Sequence, residues 1–94
     1  MRRVHVIVSG DVQGVGYRYT MKIVAMEAGV VGWVRNRRDG SVEAEFEGDD
    51  GPVDEVLAWM AEGPPGSQVT GAQVTDASPR SPSAESGFEV LRTA

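Results

Sequence analysis

The sequence predicts an α+β sandwich in which two helices cover one face of an antiparallel sheet, in the order β-α-β-β-α-β. Three observations carry this. Val4, Val6 and Val8 repeat with a period of two and are followed, past a glycine-rich stretch, by residues at helical spacing. Ser41–Glu47 alternates cleanly, with Val42, Ala44 and Phe46 on one face and Ser41, Glu43, Glu45 and Glu47 on the other. A second stripe at helical spacing then precedes a further strand-like run. At 94 residues the chain is expected to form one domain, 1–94, with one modest core.

Each element has a local reason. Val4–Val8 reads as the first strand. His5, the only histidine, is expected on a strand surface or edge rather than in catalysis. Tyr17, Met21, Val24, Ala25 and Ala28 form the apolar stripe of the first helix, and Gly29 is placed to end it in a left-handed cap. Val30–Arg37 is the second strand, and Arg38-Asp39-Gly40 is a turn into the hairpin strand Ser41–Glu47. Gly48-Asp49-Asp50-Gly51 breaks that strand, and Pro52 suits the first turn of a helix with Val53, Val56, Leu57 and Met60 as its stripe. Gly63-Pro64-Pro65-Gly66 stops the helix. Val69–Asp76 is a weaker strand with Ala72 and Val74 on one face, Ala77–Ser86 a Ser- and Pro-rich loop, and Phe88–Arg92 a short closing strand. The pattern matches a ferredoxin-like α/β sandwich, a fold that hosts several unrelated functions.

Composition excludes some of them. With no cysteine, disulfides and thiolate metal sites are ruled out, including the thiolate-loop metal chaperones of this fold. No apolar run approaches membrane-spanning length, and Val4–Val8 is too short for the core of a signal peptide, so a cytoplasmic chain with no membrane partner is expected. The formal charge of −5 is split: residues 1–40 carry seven Arg/Lys against three acids, a net of +4, and residues 41–94 two against eleven, a net of −9. A net-acidic chain is a poor binder of nucleic acid, and Ser41–Glu47 sets one Phe among three glutamates where an RNA-binding module of this fold would offer stacking aromatics.

The basic half can still hold one small anion. Gly10-Asp11-Val12-Gln13-Gly14-Val15-Gly16 has three glycines in seven residues and joins a strand to a helix. Such a turn can expose backbone N–H groups beside the positive end of the helix dipole. Arg18 stands in the first helical turn, where its charge opposes that dipole unless an anion is bound. Asn36 closes the second strand; by residue type alone it is a turn former.

Val8-Ser9-Gly10-Asp11-Val12-Gln13-Gly14-Val15-Gly16-Tyr17-Arg18 resembles the first signature of the acylphosphatases. Gly32-Trp33-Val34-Arg35-Asn36-Arg37-Arg38-Asp39-Gly40-Ser41-Val42, continuing to Gly48, resembles the second. The spacing between them matches too, and the resemblance covers essentially the whole chain. It implies hydrolysis of the carboxyl–phosphate bond of a small acyl phosphate. Arg18 would grip the phosphate, Asn36 would orient the attacking water, and backbone amides of Gln13, Gly14, Val15, Gly16 and Tyr17 would cradle the phosphate oxygens. Two departures stand out: Tyr17 where Phe is commoner, and Asp11 where a basic residue is frequent. An acid at position 11 would weaken anion binding if it pointed inward. No cofactor or metal is expected, since no carboxylates cluster beside the loop. A monomer is expected. The rival reading is a non-catalytic anion-sensing or regulatory domain of the same kind, as occurs at the front of larger carbamoyl-transfer proteins; without zinc-finger cysteines or a following domain, the chain is expected to stand alone.

Overall fold

A computed structural model describes residues 1–79 and 87–94. Its elements are β1 (Arg2–Asp11), α1 (Tyr17–Ala28), β2 (Val31–Asn36), β3 (Val42–Gly48), α2 (Asp50–Glu62), β4 (Gln68–Ala77) and β5 (Phe88–Val90). The sheet order is β4-β1-β3-β2-β5. The four longer strands pair antiparallel, whereas β5 runs parallel to β2, so the sheet is mixed rather than purely antiparallel. The fold is otherwise the ferredoxin-like sandwich that the patterning predicts.

The core lies between the helices and one sheet face. Val4, Val6 and Val8 of β1, Val34 of β2, and Val42, Ala44 and Phe46 of β3 are buried against Tyr17, Met21 and Ala25 of α1 and Val53, Val56 and Met60 of α2. Val24, Ala28 and Leu57 pack at its margin. Gly29 caps α1 in the left-handed conformation, donating its N–H to the Ala25 and Met26 carbonyls. No helix among the described residues is long and apolar enough to cross a membrane.

Several segments differ from their expected form: the first strand is longer, Arg2–Asp11 rather than Val4–Val8, and the hairpin strand is shifted by one residue to Val42–Gly48. The second strand is shorter, ending at Asn36. The fourth is longer, running from Gln68 to Ala77 because β1 supplies hydrogen bonds along its whole length. Its expected apolar face is not covered: Val74 is 46% exposed on this edge strand. The closing strand stops at Val90, although Leu91 and Ala94 still donate backbone hydrogen bonds to β2. Of the Ser- and Pro-rich loop expected over Ala77–Ser86, residues 80–86 lie outside the described ones, and Ala77 belongs to β4.

The sheet face away from the helices carries a charged network. His5 lies there on an interior strand, not an edge, with Nε2 2.6 Å from Glu43 Oε2. Arg35 donates to the other Glu43 oxygen at 2.7 Å and lies over the Trp33 ring. Burial by itself would raise the Glu43 pKa, but the hydrogen bonds from His5 and Arg35 outweigh it and hold the carboxyl below its ordinary 4.5. Folding therefore favours the charged form. That stabilisation is complete above the unfolded value and is lost as pH falls through the lower folded one. Glu43→Gln is expected to lower the urea midpoint at about pH 7, with the gap to the parent closing towards about pH 3. A gap that stays constant with pH would show that the charge of Glu43 contributes nothing.

Candidate active site

The glycine-rich stretch becomes a loop at the point where β1 leaves one neighbour. β1 pairs with β3 only as far as Val8, opposite Val42, but stays with β4 through Asp11, with an irregularity between Ser9 and Gly10. Freed on one side, the chain turns at Gly14 and Gly16. Both have φ 76°, a left-handed value that costs a side-chain-bearing residue about 1 kcal/mol or more. Gly16 is also the N-cap of α1 and supplies no side-chain cap. The first intrahelical bond runs from Thr20 N–H to the Gly16 carbonyl, so the amides of Tyr17, Arg18 and Tyr19 precede it. Among the described residues, the amides of Gln13, Gly14, Val15 and Gly16 donate to no other protein group. The first turn of α1 holds no acid that could occupy these donors.

A cavity of about 330 Å³ opens over this corner. The loop contributes Val12, Gln13, Gly14 and Gly16 to its wall. The start of α1 adds Tyr17, Arg18, Tyr19 and Lys22, and Asn36 and Val90 come from β2 and β5. Two cations line the cavity and no carboxylate does. Neither Arg18 nor Lys22 takes part in a salt bridge among the described residues. In a chain of net charge −5, this is a local positive field over free amide donors. Asp11 is exposed and not on the wall, so it adds no negative charge there. Among the described residues no group of His, Asp or Glu is placed to hold a metal ion.

Asn36 reaches the cavity through strand register. Val42 is opposite both Val8 of β1 and Asn36 of β2, which sets Asn36 two strands across from the base of the loop. Its Oδ1 is buried and has no hydrogen-bond partner. A buried acceptor left without a donor costs about 1–3 kcal/mol. The turn-forming role that residue type suggests for Asn36 belongs to Asp39. Its Oδ1 accepts the Ser41 N–H at 2.9 Å and the Ser41 hydroxyl at 2.5 Å. Those bonds from Ser41, side chain before backbone, hold the Asp39 carboxyl below the usual carboxylate range.

Of the residues the sequence singles out, Arg18, Asn36, Gln13, Gly14, Gly16 and Tyr17 meet at one wall. Val15 does not; it packs against the core instead. Gln13 has a second task. Its side-chain amide Nε2 donates to the Arg37 carbonyl at 2.7 Å and the Ser41 carbonyl at 2.9 Å, tying the loop to the hairpin beyond Asn36. Tyr19, Lys22 and Val90 were legible only in part. Tyr19 and Lys22 follow Arg18 at helical spacing, but nothing in the sequence places Val90 beside them.

Tyr17 anchors the start of α1. It is buried, packs its ring 5.0 Å from that of Trp59, and donates its hydroxyl to the Met60 carbonyl at 2.7 Å. Burial pushes the phenol pKa well above its ordinary value, so the group stays a donor. Met60 lies in the last turn of α2, where carbonyls lack intrahelical partners. Tyr17→Phe is expected to cost about 1 kcal/mol, read as a drop of several degrees in Tm. An unchanged Tm would show that the hydroxyl adds nothing to the aromatic anchor.

The fold is a ferredoxin-like α+β sandwich with a cationic, carboxylate-free cavity where the glycine-rich loop meets the start of α1. The chain belongs to the acylphosphatase family, whose family model, described as Acylphosphatase, matches residues 4–90. It is 53% identical over 76 residues to an acylphosphatase of Methylococcus capsulatus, covering 81% of this chain and 83% of the relative. With an acylphosphatase of Rubrobacter xylanophilus it shares 52% identity over 89 residues, 95% of this chain and 79% of the other. The crystal structure of acylphosphatase from Bacillus subtilis superposes with a TM-score of 0.88 at 36% identity, covering 97% of this chain and 99% of that one.

Proposed function

We propose that the cavity is a hydrolytic site in which loop amides and Arg18 hold a phosphoryl group and Asn36 orients the attacking water. The reaction is hydrolysis of an acyl phosphate: water attacks phosphorus, the bond from phosphorus to the carboxyl oxygen breaks, and a carboxylate and inorganic phosphate leave. The observation that supports the residue roles is that Arg18, without a salt bridge among the described residues, and Asn36, whose Oδ1 has no hydrogen-bond partner among them, line one carboxylate-free cavity.

The chemistry asks little more. A carboxylate is a weakly basic leaving group and needs no general acid. What remains is to position the water and to stabilise charge on the phosphoryl oxygens, which fixed N–H donors and a guanidinium do. No His or carboxylate lines the wall to act as general base, so a phosphoryl oxygen of the substrate takes the proton of the water. A non-catalytic anion sensor is not favoured: the relatives matched over most of their length are acylphosphatases.

Release of inorganic phosphate from acetyl phosphate tests the activity, before and after dialysis against EDTA. The expected result is turnover that chelation leaves unchanged. A loss restored by a divalent cation would overturn the metal-free chemistry, and no turnover at all would overturn the hydrolytic reading.

A further inference from the structure

We propose that the Gln13 side chain is a positioning residue: it fixes Asn36 relative to the glycine-rich loop, so that the attacking water is set against the phosphorus. This rests on the reading of the loop and Arg18 as the holder of the phosphoryl group and of Asn36 as the group that orients the water.

The two parts of the site come from segments that the sheet does not join where they meet. β1 pairs with β3 only as far as Val8, opposite Val42, and β2 pairs with β3 only as far as Asn36, opposite the same Val42. Beyond those positions the strands part. Among the described residues no backbone hydrogen bond links residues 12–16 to residues 36–41. Gln13 spans that gap. Its Nε2 carries two N–H groups, and both are used, on the Arg37 carbonyl at 2.7 Å and the Ser41 carbonyl at 2.9 Å.

Those two carbonyls belong to the last rung of the hairpin, where the Arg37 N–H donates to the Ser41 carbonyl at 2.9 Å. Arg37 follows Asn36 in the chain, so Gln13 grips the backbone next to the residue whose side chain must be placed. Asn36 Oδ1 has no hydrogen-bond partner of its own and follows its backbone. From the other side the Ala94 N–H holds the Asn36 carbonyl at 3.0 Å, but that bond ties the hairpin to the segment after β5, not to the loop.

Satisfying the hairpin does not require Gln13. The Arg37 carbonyl also accepts the Gly40 N–H at 3.1 Å, and the Ser41 carbonyl accepts the Arg37 N–H, so each keeps a backbone donor without it. The loop has its own anchor in Val12, which is buried in the core. What the Gln13 amide adds is a fixed distance between the two parts of the site. A displacement of about 1 Å between reacting groups can cost about a hundredfold in rate.

The test is a double-mutant cycle of Gln13→Met, similar in length and without a donor, with Asn36→Ala, read on saturating acetyl phosphate. In the parent background Gln13→Met is expected to lower kcat about tenfold or more, while the inhibition constant of inorganic phosphate changes by less than about threefold. In the Asn36→Ala background no amide is left to misplace, and the same change lowers kcat by less than about twofold. Gln13→Asn keeps the amide but is one methylene too short to reach both carbonyls, and gives the same pattern. Any loss of Tm is equal in the two backgrounds. Losses in kcat that multiply across the cycle, an unchanged kcat, or phosphate inhibition weakened in step with kcat overturn the proposal while hydrolysis itself stands. Full turnover in Asn36→Ala alone removes the group through which Gln13 acts, and a parent that does not hydrolyse acetyl phosphate overturns the hydrolytic reading; either takes this proposal with it.

Discussion

Arg18→Ala is expected to lower kcat/KM for an acyl phosphate by about two to three orders of magnitude, with competitive inhibition by inorganic phosphate weakened in parallel. The size follows from removing one fixed donor from developing phosphoryl charge, about 3 kcal/mol or more of transition-state stabilisation. Arg18 is in the first turn of α1, on a wall with no carboxylate, and forms no salt bridge among the described residues. Its charge there opposes the helix dipole. Removing it therefore breaks no internal ion pair and should leave the fold intact, which circular dichroism and Tm can check. Arg18→Lys should recover only part of the rate, because an ammonium is a point charge and cannot present two parallel N–H groups to phosphoryl oxygens. Near-normal turnover and phosphate inhibition in Arg18→Ala would remove Arg18 from the site.

Asn36→Ala is expected to turn over at least about a hundredfold more slowly while still binding inorganic phosphate. Water position matters in the transition state, whereas ground-state phosphate is still held by Arg18 and the loop, so kcat falls far more than KM rises. The backbone should not move. Asn36 stays paired with Val42, and its carbonyl accepts the Ala94 N–H at 3.0 Å. Nor should stability suffer much, since the buried Oδ1 makes no hydrogen bond to lose. Asn36→Asp should be poorer still, because a carboxylate beside an anionic phosphoryl group repels it. Calorimetry with phosphate alongside steady-state kinetics separates the outcomes. Intact turnover in Asn36→Ala would leave the orienting group of the water unidentified.

These two residues were legible in different ways. Arg18 could be placed from the sequence alone, because a glycine-rich turn and the helix after it are contiguous and local rules decide both. Asn36 could not. By residue type it belongs to the hairpin turn, and only its resemblance to a family signature suggested otherwise. The structure gives the turn to Asp39 and sets Asn36 among the residues that line the cavity. Gln13 divides the same way: its position in the loop was evident, but its grip on the Arg37 and Ser41 carbonyls was not.

Alternation in β1 and β3, the two helical stripes and the glycine punctuation were enough to determine the α+β order and the core residues Val4, Val6, Val8, Met21, Val42, Ala44, Phe46, Val53 and Val56. They act between near neighbours in the chain, so periodicity records them. The parallel placement of β5, the bare edge of β4 and the arrival of Val90 beside Tyr19 depend on partners far away in sequence. So does the alignment of Val8, Val42 and Asn36 across three strands, which puts an amide from the hairpin at the base of the loop. Register is set by hydrogen bonds between strands, and a shift of one residue would turn Asn36 to the other face. The chain thus encodes the glycine-rich loop locally, but its meeting with Asn36 exists only once the sheet has formed.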